Sequence, residues 1–198
     1  MIKNKKLGRK FYQRSEVEEI ARDLIGKYLF TQINNKKTGG IIVETEAYCG
    51  ETDKASHAYP NKLTERTSIM FEPGGLTYVY LCYGIHKLFN IVTNQAGRAD
   101  AILVRAIEPQ FGIATMSKRR KTSINSTSLT SGPGKLTQAL GIELLHYGLP
   151  LDGNIIWVED NGLDIEITTS KRIGVDYAGK DALLPWRFFA RDNQWLSV

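Results

Sequence analysis

Glu44, Glu46 and Tyr48 interrupt an otherwise apolar run, Ile41-Ile-Val-Glu-Thr-Glu-Ala-Tyr48. Ile41, Ile42, Val43 and Thr45 predict a strand. Side chains alternate along a strand, so Glu44, Glu46 and Tyr48 share one face with Ile42. Ile41, Val43, Thr45 and Ala47 share the other. Ionised carboxylates are costly on a dry face, so the first face is expected to border a wet cleft. A carboxylate beside an aromatic there suits hydrolysis, because an ionised glutamate can take a proton from water. Spacing alone leaves Glu44 and Glu46 equal candidates for that role. Arg105 breaks a second apolar run, Ala101 to Ile107, and a buried arginine calls for a carboxylate or an anionic ligand. Glu46 is a candidate partner.

Tyrosines form the next group. Tyr78 and Tyr80 share one face of a predicted strand, Thr77 to Cys82. Tyr83 falls where that strand turns back through Tyr83-Gly-Ile-His86 into a second, Leu88 to Thr93. A tyrosine at a hairpin tip has little core of its own to enter. It has the shape of a wedge that enters a stack of bases. Tyr80 and Tyr48 would then be stacking walls for an extruded base, with Asn90 placed to read its edge. A sheet-packing aromatic cluster and a hydrogen-bonded core asparagine are the plainer alternatives. His57 lies in Ala55-Ser-His-Ala-Tyr59, and a structural role competes with a catalytic or base-contacting one. His57, His86 and His146 show no metal-ligand spacing. Ser131-Gly-Pro-Gly-Lys135 opens a helix candidate whose N–H groups and lysine could meet a phosphate, although the full P-loop spacing is absent.

These residues need a frame. The chain has 198 residues and a formal net charge of +5, which fits one domain with a mild basic excess. The expected domain spans 1–198, with 1–10 loosely held and 118–130 a mobile loop. Cys49 and Cys82 are the only cysteines, too few for a disulfide framework. No apolar run has transmembrane length and no secretory signal is visible, so a cytoplasmic setting is expected. Ser15 and Glu18 form a capping-box pattern ahead of Val17, Ile20, Ala21, Leu24 and Ile25, with Gly26 as the stop. A strand at 28–33, a turn at 34–40, helices at 110–118 and 136–140, and an irregular stretch at 49–76 complete the outline. Hairpin-linked strands with interspersed helices predict an α+β domain.

Taken in order, Val43-Glu-Thr-Glu-Ala-Tyr48, Ala55-Ser-His-Ala58, Arg66-Thr-Ser-Ile-Met-Phe71, Pro73-Gly74, Tyr78-Val-Tyr80, Tyr83-Gly84, Asn90-Ile91, Leu103-Val-Arg105 and Ser131-Gly-Pro133 resemble the alkyladenine (3-methyladenine) DNA glycosylase family. Arg172-Ile-Gly-Val175 and Leu184-Pro-Trp-Arg-Phe188 look like it too. The resemblance implies a single mixed domain around a curved antiparallel sheet with a protruding, DNA-intercalating β-hairpin. It implies a monofunctional glycosylase that flips alkylated or deaminated purines from duplex DNA and hydrolyses the N-glycosidic bond. By resemblance, Glu46 is the base that activates water and Arg105 helps hold water and carboxylate. Tyr48, His57 and Tyr80 wall the base pocket, with His57 also a donor, and Asn90 crowds the amine of guanine. Tyr83 intercalates, and Arg66 and Lys135 are expected phosphate contacts. Neither metal nor organic cofactor is expected, and the partners are damaged duplex DNA and water, met by a monomer without a membrane. The chain departs from the family pattern at Tyr59 to Thr64 and at Ile85-His86. Two other classes compete: a non-catalytic nucleic-acid binding module, and a small-molecule nucleosidase using Glu44 and Glu46 as paired carboxylates.

Overall fold

Alternating apolar patterns build one nine-stranded sheet in the computed structural model, which describes residues 5–197. The strands are β1 (Lys5–Lys6), β2 (Tyr28–Ile33), β3 (Lys36–Tyr48), β4 (Thr77–Cys82), β5 (His86–Thr93), β6 (Asp100–Phe111), β7 (Ile156–Asp160), β8 (Ile167–Ser170) and β9 (Arg187–Ala190). They run in the order β1-β7-β2-β3-β6-β5-β4, with antiparallel pairing between neighbours. β9 joins from outside this path, pairing with β8 and with β3 at Glu44 to Glu46. The helices are α1 (Arg9–Tyr12), α2 (Val17–Asp23), α3 (Ile113–Arg120) and α4 (Pro133–Leu140). This is the expected α+β domain, dominated by an antiparallel sheet.

β3 is the axis of the fold. Its first half pairs with β2 and its second half with β9, while β6 runs along its other edge. The β3–β6 register slips three times, so that Gln110, Val43 and Arg105 have no opposite residue. Such bulges re-aim side chains next to functional clefts. Here they bring Arg105 within reach of both glutamates. Gly40 is demanded by the same pairing, since a Cβ there would collide with the Glu108 carbonyl.

The sheet carries a separate apolar cluster on each face. The larger joins Val17, Ile20, Ala21 and Leu24 of α2 to Val43, Ala47, Phe89, Ile91, Ile102 and Val104. The smaller contains Ala58, Met70, Tyr78, Val92, Ala99 and Ala101. Sequence neighbours such as Ile91 and Val92 fall in different clusters, as strand alternation requires.

Several boundaries differ from expectation for local reasons. The capping box does not form: Glu16 is the N-cap of α2, without a side-chain hydrogen bond, and Ser15 Oγ donates to Glu16 instead. The turn expected over 34–40 contracts to Asn34-Asn35, both at positive φ, and β3 begins at Lys36. Asparagine tolerates that conformation, and a two-residue turn of this hand matches the strand twist. Gln110 and Phe111 end β6 rather than start α3, because Gly112 at φ +70° breaks the chain direction between them. α4 starts three residues early, at Pro133, where a missing N–H is harmless. Residues 5–10, expected to be loosely held, form β1 and the opening of α1; residues 1–4 lie outside the described residues. The 118–130 segment holds the end of α3 and a short 3-10 turn whose Leu129 is fully buried. Among the described residues no helix is long and apolar enough to cross a membrane.

Candidate active site

β3 and β6 set two carboxylates around one guanidinium. Glu44 and Glu46 are both fully buried. Arg105 Nε donates to Glu44 Oε1 at 2.8 Å, and its Nη1 donates to Glu46 Oε2 at 3.1 Å. The expected Glu46–Arg105 pairing is present, and Glu44 shares it. The two carboxylates then diverge. Glu44 also accepts from Arg187 Nε at 2.7 Å, and from the Ser197 N–H and hydroxyl at 2.6 and 2.7 Å. Glu46 Oε2 accepts from the Tyr48 hydroxyl at 2.7 Å, and Oε1 from the Ile173 N–H at 2.8 Å. Burial first, and then Glu46 beside it, push the Tyr48 phenol well above its ordinary range. It therefore keeps its proton and donates.

A cleft of about 690 Å³ opens over this group. Tyr48, His57, Arg66, Tyr80, Tyr83, Asn90, Arg105 and Lys135 all line it. Neither candidate carboxylate, Glu44 or Glu46, lines it; Glu46 lies behind Tyr48 and Arg105, which bind its Oε2. Tyr78 and Tyr80 stack at 5.3 Å, and the edge of His57 meets Tyr80 at 4.6 Å. The Arg66 guanidinium lies 4.8 Å from the Tyr80 ring centre and reaches His57 Nε2 at 3.3 Å. Arginine can only donate, so Nε2 accepts and Nδ1 carries the proton toward the Tyr78 hydroxyl, 2.9 Å away. Here the one imidazole N–H points at Tyr78 rather than into the cleft. Desolvation against the tyrosine wall, with Arg66 adding to it, lowers the pKa of the otherwise exposed His57 ring to about 4. Asn90 is buried and donates from Nδ2 to the Tyr78 carbonyl at 3.2 Å.

The rim is apolar and basic. Tyr83 is 88% exposed and Ile85 71% exposed, at the tip of the β4–β5 hairpin. Ile85 N–H bonds back to the Cys82 carbonyl at 3.1 Å, so the turn proper is Tyr83-Gly84, both at positive φ. His86, expected within the turn, already pairs with Cys82. Gly132 to Lys135, at the start of α4, also line the cleft, with Gly134 packed beside the His86 ring of the hairpin.

Sequence comparison places this geometry. The family model described as Methylpurine-DNA glycosylase (MPG) matches residues 10–194. This chain belongs to the methylpurine-DNA glycosylase family. A relative from Alkaliphilus oremlandii (strain OhILAs), provisionally named as a 3-methyladenine DNA glycosylase, is 46% identical over 97% of this chain and 98% of its own length. Relatives with the same provisional name from Desulfitobacterium hafniense (strain Y51) and Chlamydia felis (strain Fe/C-56) are 42% and 44% identical. They cover 98% and 90% of this chain, and 99% and 92% of their own lengths. As a methylpurine-DNA glycosylase the chain is a hydrolase of N-glycosyl bonds in base excision repair of DNA. That membership sets aside the non-catalytic module and the small-molecule nucleosidase.

The candidate site also contains residues that the sequence did not announce. Arg172 and Asp53 form a buried ion pair, with contacts at 2.5 and 2.8 Å. Arg172 also donates to the carbonyls of Ala47 and Asp181, and its guanidinium lies 4.7 Å from the Tyr48 ring centre and 5.3 Å from that of Trp186. The pair thus braces Tyr48 and tethers the next residue, Ile173, whose N–H holds Glu46. Arg172 belongs to a block that resembles the family. Arg187 lies in the other such block, Leu184 to Phe188, whereas Asp53 sits in the irregular stretch with no periodic signal and Ser197 carries none either.

Proposed function

We propose that this glycosylase draws a damaged purine of the 3-methyladenine, hypoxanthine or ethenoadenine class out of duplex DNA into the cleft, and that Glu46 activates the water that releases it. The supporting observation is the placement of Glu46 Oε2. It is held by the Tyr48 hydroxyl and Arg105 Nη1 just behind the floor of an aromatic-walled cleft. Arg105 has five N–H bonds, and one on each Nη has no protein partner among the described residues. Those bonds can hold a water beside Glu46.

In the reaction, water oxygen bonds to C1′ while the C1′–N9 bond breaks. The water proton goes to Glu46 and the bonding pair leaves with the purine. A methylated, cationic purine departs as a neutral base. A neutral purine needs a proton from solvent to do the same. Tyr83 fills the gap in the stack, and weakened pairing at the lesion leaves only a few kcal/mol of unstacking to overcome. Stacking on tyrosine adds about 1–2 kcal/mol for a cationic base. Asn90 limits which purine edge fits, and Arg66, Lys135 and the N–H groups opening α4 meet phosphates. All these residues sit around one cleft of one chain, so the reading needs only a monomer, and a cytoplasmic setting (the nucleoid in a bacterium) suits its substrate.

The test is single-turnover base release from duplex DNA containing 3-methyladenine or hypoxanthine, by wild type and Glu46→Gln. Loss of the base should slow release by about 10²–10⁴-fold. Release at the wild-type rate would remove Glu46 from the mechanism.

A further inference from the structure

Glu44 does not open on the cleft, yet it is as deeply buried as Glu46 and shares its arginine. Its partners explain why. Ser197 is clamped at three atoms: its N–H and hydroxyl donate to Glu44, and its carbonyl accepts from Arg187 Nη2 at 3.1 Å. With its proton directed at Glu44, the Ser197 oxygen has lone pairs left, and they receive Arg105 Nε at 3.2 Å and Nη2 at 3.0 Å. Ser197 Oγ is the sole protein partner of Nη2 among the described residues.

A guanidinium is planar, and its orientation needs more than one fixed point. Nε rests on Glu44 at 2.8 Å, Nη2 on Ser197 at 3.0 Å and Nη1 on Glu46 at 3.1 Å. Without the Ser197 oxygen, the plane can turn about the Glu44 contact, and Nη1 shifts on Glu46. The N–H bonds that face the cleft shift with it.

We propose that Ser197 is a positioning residue for base release: its hydroxyl sets the plane of Arg105 and, through Arg105, the place of the Glu46 carboxylate and its water. The proposal rests on the reading of Glu46 as the activating base. Ser197→Ala is a narrow probe, because it removes Oγ and leaves both main-chain contacts in place. Single-turnover release should fall about 10- to 100-fold, the scale of a modest misplacement of reacting groups, while affinity for the same lesion duplex stays unchanged. Ser197→Thr, which keeps the hydroxyl, should retain the rate. In an Arg105→Lys background, which has no Nη2 to orient, Ser197→Ala should add no further loss. Equal losses in the Ala and Thr variants overturn the proposal, as does a rate loss matched by lost affinity, or full additivity with Arg105→Lys. Glu46→Gln in the same assay separates the two ideas. Wild-type release by Glu46→Gln ends the reading of the base, while the Ser197–Arg105 coupling is still decided by the double mutant.

Discussion

Among single residues, His57 has a charge state visibly set by its surroundings. An unperturbed imidazole titrates near 6.5; here desolvation against Tyr78 and Tyr80, and then Arg66, bring the partly solvated ring to about 4. The unfolded chain therefore takes up this proton at a higher pH than the folded one. Stability from this residue is full above about pH 6.5 and is lost as pH falls toward 4. Urea midpoints measured across that window should decline in wild type, and decline less in His57→Phe. A His57 ring resonance titrating near 6.5 would contradict the geometry. Chemistry at this scale was readable from the sequence where a residue type broke its context. Arg105 and the two glutamates interrupt apolar strands, and buried opposite charges must find one another. Alternation could not separate Glu44 from Glu46, because both lie on the buried arginine. Their remaining partners separate them, Ser197 and Arg187 for one and Tyr48 and Ile173 for the other. Apart from Tyr48, on the same strand, those partners come from chain segments more than a hundred residues away, which no local pattern connects.

Among elements, the β4–β5 hairpin is built around a tension. Its turn needs positive φ at both central positions, a place for Asn-Gly rather than Tyr-Gly. A left-handed conformation costs a residue with a Cβ about 1–2 kcal/mol, and asparagine adopts it more readily. Tyr83→Asn should therefore raise folding stability by up to about 1 kcal/mol, read from the urea midpoint. Release of damaged bases from duplex DNA should drop in the same variant. A Tyr83→Asn protein that is both stabler and equally active would exclude Tyr83 as a wedge. Strands were the elements most legible from sequence, since β-branched and aromatic runs fixed β2 and β4 to the residue. Helix starts were not. Serine and glutamate at capping-box spacing do not cap unless the chain enters at the right angle, and here it enters one residue later.

For the whole molecule, the balance of 26 basic against 21 acidic residues is modest, so position matters more than total. Arg66 and Lys135 line the cleft from opposite sides of the Tyr83 hairpin in sequence. If each meets a phosphate, Arg66→Ala and Lys135→Ala should each flatten the plot of log affinity against log salt by about 0.9. Unchanged slopes in both would take them out of the DNA interface. The sheet order was beyond the sequence, because hairpin signals specify neighbours only. That β9 would close against the glutamates of β3 depends on pairing across most of the chain. The two apolar clusters carry a last consequence. The sheet works as a partition. α2 and the larger cluster preserve the architecture on one side, while Tyr78, Met70 and Ala101 support the pocket wall on the other. Sequence drift in the smaller cluster reshapes what the pocket accepts while the larger continues to hold the fold, so lesion range can diversify within a lineage whose architecture does not change.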